Sequence, residues 1–377
     1  MLCYLIVKLR SANSANAKPH SGERKYVMKN FNLINRVACS LFLVGSLMGT
    51  SSALAQFSNP TSLKLINGWK NAPFSTSDAQ IQTIDGIVKF KGAIATSGTN
   101  MEPFVLPAAF RPSTWVYISV DLCHADNGRL EISPAGVVTV QEEGGSKTDA
   151  QCSTNLDGAS FALNSSGFTP ITLLDGWKNA PFGTSNAEVK SINGIVHFKG
   201  AIANPGTWSE LFVLPVGFRP AHFVNMPVDL CNAGYGELDV SPQGVVTVEA
   251  ATYLDDPGCF TSLDGVSFVA DNSGFEGLSL RNGWTDTTYE TASPKAKKIN
   301  GIVYFQGAMS TSGSNNEPFV LPSSLIPATY VYVPVDLCDI KGRLQIQPNG
   351  VVTVQAESGE TVNAQCFASL DGASYVP

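Results

Sequence analysis

The chain carries an internal repeat of three copies, and this feature constrains its fold more than any other. Each copy opens with a Gly-Trp pair, at Trp69, Trp177 and Trp284, so the period is 108 residues and then 107. The stretch from Val120 to Phe161 contains two cysteines and returns at 228–268 and 335–375. Self-similarity at a fixed period identifies each copy as one structural unit, so the fold is predicted one copy at a time.

Within a copy, apolar and polar residues alternate as they do in half-buried strands. Val88 and Phe90 alternate with Lys89 and Lys91, which predicts a strand with its lysines facing outward. The outward positions of the other copies hold His197 and Lys199, and Tyr304 and Gln306. No window shows sustained helical periodicity. Six or seven short strands per copy therefore predict an all-β module, either a β-sandwich or a small barrel.

The repeat predicts three tandem modules of about 107 residues, at 62–163, 170–270 and 277–377. The joins between them are too short to let the modules move far apart. An aromatic row on the outward side of the long strand is unusual for bare solvent and suggests contact between modules. Its members are Trp115, Tyr117, Phe223, Tyr330 and Tyr332. The specific hypothesis is that the modules pack about a pseudo-threefold axis.

Residues 1–55 form a basic leader that precedes the repeats. An apolar run from Val37 to Met48 ends in small residues, with an A-x-A site between Ala55 and Gln56. This pattern predicts a signal peptide that starts at Met28, since residues 1–27 fit no targeting pattern. The run is shorter than the roughly 20 residues that span a bilayer; a short membrane anchor is the alternative. We expect a secreted protein, or one at the periplasm or cell surface of a bacterium.

The net charge limits the partners. It is −7 for the whole chain, and the leader contributes seven basic residues and one acid, which leaves −13 for the rest. An acidic body disfavours nucleic acid, whose binding depends on neutralising phosphates, and it disfavours anionic lipid surfaces. We therefore expect no nucleic acid and no membrane insertion.

Six of the eight cysteines fall two per module, and they allow fifteen pairings. One pairing gives every module the same closed unit: Cys123–Cys152, Cys231–Cys259 and Cys338–Cys366. An oxidising compartment permits such bonds. The alternative is a metal site, but two thiols without a recurring histidine make at most half of one. No metal and no cofactor is predicted.

Catalytic chemistry has little support in the sequence. The histidines His124, His197 and His222 are not shared between copies, and each is expected to be exposed. Two sets of carboxylates do recur: Asp121, Asp229 and Asp336, and Asp157, Asp264 and Asp371. We expect them to bind backbone N–H groups in turns; the alternatives are calcium ligation or a glycosidase pair.

Two sets of residues are candidates for ligand binding. The rings of Trp69, Trp177 and Trp284 could stack on a sugar, or else could seal one end of each module. Arg111 and Arg219 could grip a carboxylate or a sugar hydroxyl, or could pair with Glu102 and Glu210.

The order of motifs in each copy resembles the C-terminal receptor-binding modules of phage tail fibre and tail-associated proteins. The motifs are Gly-Trp-x-Asn, Gly-Ile-Val-x-Phe-x-Gly, Leu-Pro-x-x-Phe-Arg-Pro, Gly-x-Leu-x-Ile-x-Pro-x-Gly-Val-Val and Leu-Asp-Gly-x-Ser-Phe. The resemblance implies an all-β module that contacts cell-surface carbohydrate, usually in trimeric fibres. A signal peptide, a cysteine pair per module and tandem copies are departures that favour an exported bacterial protein.

The preferred hypothesis is a secreted, non-enzymatic binding or adhesion protein whose modules recognise glycans. One alternative is a structural or spacer protein of the envelope with self-packing modules. The other is a glycoside hydrolase or esterase.

Overall fold

The computed structural model describes residues 56–377 except 205, 207–209, 252–254, 287–288, 339 and 360. The predictions for the leader, including the signal peptide and Ala55, fall outside this range. The described residues belong to one compact unit. Over the part of the chain that is described, no helix is both long and apolar enough to span a membrane.

The three modules have the same order of eleven short strands, and the first and third also contain one short α-helix each among the described residues. The first contains β1 (Thr61–Ser62), β2 (Lys70–Asn71), β3 (Gln80–Ile84), β4 (Ile87–Lys91), β5 (Ala93–Ala95), β6 (Phe104–Val105), β7 (Val116–Asp121), β8 (Asn127–Ile132), β9 (Val137–Glu142), α1 (Thr148–Cys152), β10 (Thr154–Asn155) and β11 (Ser160–Ala162). The second contains β12 (Thr169–Pro170), β13 (Lys178–Asn179), β14 (Glu188–Ile192), β15 (Ile195–Lys199), β16 (Ala201–Ala203), β17 (Phe212–Val213), β18 (Val224–Asp229), β19 (Tyr235–Val240), β20 (Val245–Ala250), β21 (Thr261–Ser262) and β22 (Ser267–Val269). The third contains β23 (Glu276–Gly277), β24 (Trp284–Asp286), β25 (Lys295–Ile299), β26 (Ile302–Gln306), β27 (Ala308–Thr311), β28 (Phe319–Val320), β29 (Val331–Leu337), β30 (Ile340–Ile346), β31 (Val351–Ala356), α2 (Thr361–Cys366), β32 (Ala368–Ser369) and β33 (Ser374–Tyr375).

Each module consists of three small antiparallel sheets around its own core. In the first module the strand orders are β1-β3-β4-β11, β10-β5-β2 and β6-β9-β8-β7, and the other modules repeat this topology. Phe90, Phe104 and Phe161 pack together at the centre of that module with ring centroids 6.2–6.4 Å apart. The all-β prediction is confirmed. The short helices α1 and α2 were not predicted, because five or six residues show no measurable helical period.

The disulfides Cys123–Cys152, Cys231–Cys259 and Cys338–Cys366 are present, as the spacing predicted. Each joins the end of the long strand to the segment before the last strands of the same module. Disulfides of this kind fit a protein that folds in an oxidising compartment.

The modules pack about a pseudo-threefold axis, and the contacts between them are cyclic. The backbone N–H of Trp115 donates to Gly183 O in module 2, that of Phe223 to Glu290 O in module 3, and that of Tyr330 to Ser75 O in module 1. All three bonds measure 3.2 Å. Since each module donates to the next and the third returns to the first, the chain closes on itself.

Residues from all three modules also meet on the axis. The carboxylate of Asp85 accepts hydrogen bonds from the side-chain amides of Asn193 at 3.3 Å and Asn300 at 2.9 Å. These residues hold the same turn position in the three copies. Beside them lies a small apolar cluster to which Ile84, Ile195 and Ile302 each contribute.

This packing corrects the predicted orientation of one strand face. Lys89, His197 and Tyr304 were expected to face solvent, but they are buried on the axis, with 3%, 5% and 7% exposure. His197 is therefore not the exposed histidine that was expected. Alternation along a strand identifies two faces, but it cannot show that a neighbouring module covers the second one.

Candidate functional site

The three tryptophans that open the modules belong to the core. Trp69, Trp177 and Trp284 are only 4–5% exposed. The indole N–H of Trp69 donates to Asn100 O at 2.9 Å, and that of Trp284 to Asn315 O at 2.7 Å. Burial leaves these rings little surface for a sugar, although Trp284 lies in the wall of a cleft of about 610 Å³. The prediction of stacking by these rings is corrected in favour of the alternative, in which they seal one end of each module.

The two arginines contact their own modules. The Nε of Arg111 donates to Leu106 O at 2.9 Å, and that of Arg219 to Leu214 O at 2.8 Å. Their side chains lie against Gly136 and Gly244, where a Cβ would come within 2.7–2.8 Å of them. Among the described residues neither arginine forms an ion pair with Glu102 or Glu210, so that alternative is not seen. The proposed ligand role of Arg111 and Arg219 stays a prediction.

The aspartates of the Leu-Asp-Gly motif each form a hydrogen bond within their own module. A carboxylate oxygen of Asp157, Asp264 or Asp371 accepts the backbone N–H of a glycine about 65 residues earlier, at 3.0–3.1 Å. All three side chains are buried, and burial raises the pKa of Asp157 and Asp264 to about 7 and that of Asp371 to about 8. They bind backbone N–H groups, as expected, but the contact is remote rather than local.

The aspartates before the first cysteine lie at the module boundaries. Asp229 is 3.2 Å from Arg129 of module 1, and Asp121 is 3.1 Å from Arg343 of module 3. Burial raises the pKa of Asp229 to about 7, and the Arg129 charge opposes that shift. The ion pairs join modules, a role that the sequence did not predict.

The aromatic row predicted to mediate module contacts lies at these boundaries. Trp115, Phe223 and Tyr330 donate the cyclic backbone bonds. The ring of Tyr117 meets Phe260 of module 2 edge-on at 5.1 Å. Tyr332 stacks on Tyr330 of its own module, with centroids 6.5 Å apart.

A second set of aromatic residues at the boundaries was not singled out from the sequence. Phe74, Phe182 and Tyr289 occupy equivalent positions and are 60%, 65% and 61% exposed. Phe74 and Phe182 have left-handed backbone conformations, with φ of 54° and 53°. A bulky residue at positive φ is a genuine outlier, and such strain gathers at ligand and functional sites.

Two of these exposed rings, Phe182 and Tyr289, line clefts between modules. A cleft of about 150 Å³ lies between modules 1 and 2 and is lined by Tyr117, Arg129, Phe182 and Phe260. The equivalent cleft between modules 2 and 3 measures about 390 Å³. Its walls include Phe223, Asn225, Glu237, Tyr289, Asp336 and Phe367.

The third boundary, between modules 3 and 1, differs in shape. A larger cleft of about 610 Å³ lies beside Arg343 and reaches His124 of module 1. Apart from His124 its lining residues belong to module 3, and Phe74 is not one of them; Phe74 lies at the same boundary because its neighbour Ser75 accepts the bond from Tyr330. Concave sites with aromatic walls and a few polar groups are where ligands usually bind, so the three clefts form the candidate site.

A cluster of three carboxylate side chains lies near the first disulfide, and hydrogen bonds within the module account for it. Carboxylate oxygens of Asp126, Glu142 and Asp149 lie within 4.8 Å of one another. Glu142 accepts the backbone N–H groups of Asp149 and Ala150 at 2.9 and 3.0 Å, at the start of α1. His124 contacts the Asp149 carboxylate at 2.6 Å. Glu142 thus caps the short helix.

No family model, no curated protein and no solved structure matches this chain.

Proposed function

We propose that the protein is a secreted, non-enzymatic binding protein whose inter-module clefts recognise cell-surface glycans. The observation that carries this proposal is the threefold display of Phe74, Phe182 and Tyr289, each about 60% exposed or more. A folded chain gains by burying aromatic rings. Presenting one to water at every module boundary, twice in a strained backbone, indicates that the rings meet a partner.

The chemistry of the clefts suits sugars. An exposed aromatic face packs on the C–H face of a pyranose, and nearby polar groups can bind its hydroxyls. Arg129 and Asn232 offer such groups in the cleft that Phe182 lines, with the Arg129 guanidinium 4.8 Å from the Tyr117 ring. The resemblance of each module to phage receptor-binding modules supports the same proposal.

The recurring carboxylates support a non-enzymatic role. A glycosidase needs two carboxyl groups facing one bond, either about 5 Å or about 6.5–9.5 Å apart. Here Asp157, Asp264 and Asp371 are buried against backbone N–H groups, while Asp121 and Asp229 pair with arginines. Five of the six shared carboxylates therefore serve folding and assembly, and the sixth, Asp336, accepts a hydrogen bond from the Tyr235 hydroxyl.

The leader and the disulfides support a location outside the cytoplasm, at the periplasm or surface of a bacterium. A signal peptide ending at Ala55 would deliver the chain to an oxidising compartment. N-terminal sequencing of exported protein should find Gln56. A leader retained in full would argue for a membrane anchor instead.

A glycan array probed with the purified protein tests the proposed function. The variants Phe74→Ala, Phe182→Ala and Tyr289→Ala each remove one exposed ring. Val216→Ala is the matched control, because Val216 is 79% exposed and lines none of the three clefts. We expect glycan binding that falls stepwise as rings are removed and is unchanged in the control. Binding that survives the triple variant would refute a role for the clefts.

A second function, that of a structural spacer in the envelope, is favoured by one observation. The backbone hydrogen bonds between modules close in a ring, so each module finds its binding partners within the same chain. A spacer should stay silent on the array and in cell-surface pull-downs even at high protein concentration.

A further inference from the structure

Two of the three boundaries contain the same group of side chains. Arg129 contacts Asp229 of the next module at 3.2 Å, its Nε donates to Gln141 Oε1 at 2.7 Å, and its guanidinium lies 4.8 Å from the Tyr117 ring. The group thus consists of a guanidinium that contacts an aromatic ring and a glutamine of its own module and a buried aspartate of the next module.

The boundary between modules 3 and 1 repeats this group. Arg343 contacts Asp121 at 3.1 Å, its Nε donates to Gln355 Oε1 at 2.7 Å, and its guanidinium lies 4.7 Å from the Tyr332 ring. Lys341 adds a second cation, 3.2 Å from the other oxygen of Asp121. Both boundaries therefore place a planar cation on an aspartate.

The boundary between modules 2 and 3 keeps the aspartate, Asp336, but changes the residues that face it. Asn225 stands in the tyrosine's place, Glu237 in the arginine's and Glu249 in the glutamine's, as the strand registers show. Tyr235 donates to Asp336 Oδ1 at 2.6 Å. The cleft at this boundary has a volume of about 390 Å³, between the 150 Å³ of the cleft between modules 1 and 2 and the 610 Å³ of the cleft beside Arg343.

The substituted positions make this boundary acidic. Glu237 faces Asp336 across the boundary and lies beside Asp239 on its own strand and Glu249 on the next. Burial first, and then the Asp336 charge, raises the pKa of Glu237 well above its usual range. Carboxylates that share a buried site disfavour each other's ionisation, so the folded cleft takes up a proton where its two equivalents hold an arginine.

We propose that the cleft between modules 2 and 3 binds a planar cationic group, an amidinium or guanidinium, carried by the ligand. The group would lie on Glu237 and Asp336, while Phe223, Tyr289 and Phe367 contact the carbon skeleton attached to it. Two observations carry this proposal: the equivalent aspartates already hold a guanidinium in the same place, and here Glu237 and Asp336 line one cleft together with the three aromatic rings. The proposal rests on the proposed use of the clefts as ligand sites.

Benzamidine tests the proposal, because it combines a ring and a planar cation like those of the other boundaries; benzamide is its neutral isostere. Titration calorimetry of the whole purified protein should show one benzamidine site per chain and at least about tenfold weaker binding of benzamide. Affinity should rise with pH from about 5 to 8, since the cation displaces the proton from the cleft. Benzamidine that binds no better than benzamide would overturn the proposal.

Two variants assign the site. Glu237→Gln should weaken benzamidine binding at least about tenfold. Glu237→Arg should abolish it and raise the midpoint of unfolding, because it restores the group seen at the other boundaries. Glu276→Gln, at an exposed carboxylate outside the cleft, should change nothing. Undiminished binding in Glu237→Gln would overturn the proposal even if Glu237→Arg failed to fold.

The outcome is separable from that of the glycan array. Benzamidine binding without any glycan binding on the array would refute the glycan proposal and support the cationic site. A positive array without benzamidine binding would do the reverse.

Discussion

The stability of the variant Phe182→Gly shows whether Phe182 is present for ligand binding or for folding. Phe182 has φ of 53° and ψ of 28°, a left-handed conformation that costs a non-glycine residue about 1–2 kcal/mol. Glycine removes this cost, although its greater freedom in the unfolded chain offsets roughly 0.5–1 kcal/mol of the gain.

The Phe182 ring itself contributes little packing energy. Phe182 is 65% exposed and meets Phe260 with ring centroids 5.9 Å apart. Full burial of a phenylalanine contributes about 1.5–3 kcal/mol, so a ring that is one-third buried contributes roughly 0.5–1 kcal/mol. The relief of backbone strain and the removal of the ring therefore nearly cancel. We expect Phe182→Gly to unfold within about 1 kcal/mol of the wild type.

Urea unfolding followed by tryptophan fluorescence measures this difference, provided that the slope with denaturant is unchanged. Phe268→Ala is the control, because Phe268 is 1% exposed and its truncation should cost about 3–5 kcal/mol. Phe182→Gly should also abolish glycan binding at its cleft. A loss of stability above about 2 kcal/mol would show that Phe182 serves folding, and it would refute the inference that the exposed ring is kept for a ligand.

Three further perturbations test the charges inside the assembly. Burial lowers the pKa of Lys89 to about 8 from 10.5, so the stability of the wild type relative to Lys89→Met should rise by about 3 kcal/mol between pH 7 and 10.5; a flat difference in urea titrations would contradict this. Arg129→Met leaves the buried Asp229 carboxylate uncompensated and should cost about 3–5 kcal/mol, much of it recovered in the double variant with Asp229→Asn, as denaturation midpoints would show. Burial raises the pKa of Asp371 to about 8, so its contribution to stability is complete below about pH 4 and is lost as pH rises through 8; Asp371→Asn, which keeps the acceptor for Gly307 N–H, should reduce that decline in thermal melts.

Local patterns were sufficient to predict the module. The two cysteines of each copy recur at a spacing of 28 or 29 residues, and only one pairing gives every module the same closed unit, so Cys123–Cys152 followed from the repeat itself. Residues 128–132 and 136–141 flank a Ser-Pro-Ala turn, which predicts a strand-turn-strand unit, and the strands are found at Asn127–Ile132 and Val137–Glu142. Strand alternation and turn residues act within a few positions, and a sequence displays them directly.

The sequence did not show that the outward face of a strand is covered by residues of another part of the fold. Lys89 alternates with apolar neighbours as a solvent-facing lysine does, yet it lies on the axis, where its ammonium reaches Ser160 at 3.2 Å. Trp69 looked suited to stacking because it follows a glycine, but its indole N–H bonds to Asn100, 31 residues further along the chain. Contacts of this length come from the tertiary fold, which periodicity does not encode.

The candidate site nevertheless had a signal in the sequence, namely the differences between copies. Phe74 and Phe182 stand in the repeated Lys-Asn-Ala-Pro-Phe, where an aromatic residue follows proline in a turn. The change from Arg129 to Glu237 and back to Arg343 was visible as well. It gained meaning only once the structure placed each of these residues opposite the aspartate of the next module.

Positions that build the module and positions that line its boundaries differ in how they vary. The disulfides, the tryptophans and the Leu-Asp-Gly aspartates are the same in all three copies, since each module must fold by the same contacts. The cleft positions differ: tyrosine, asparagine and tyrosine at 117, 225 and 332, and arginine, glutamate and arginine at 129, 237 and 343. A symmetric trimer of identical chains would present one kind of cleft three times. Three modules fused in one chain can present different clefts. In this chain the cleft between modules 2 and 3 differs from the other two because it is acidic.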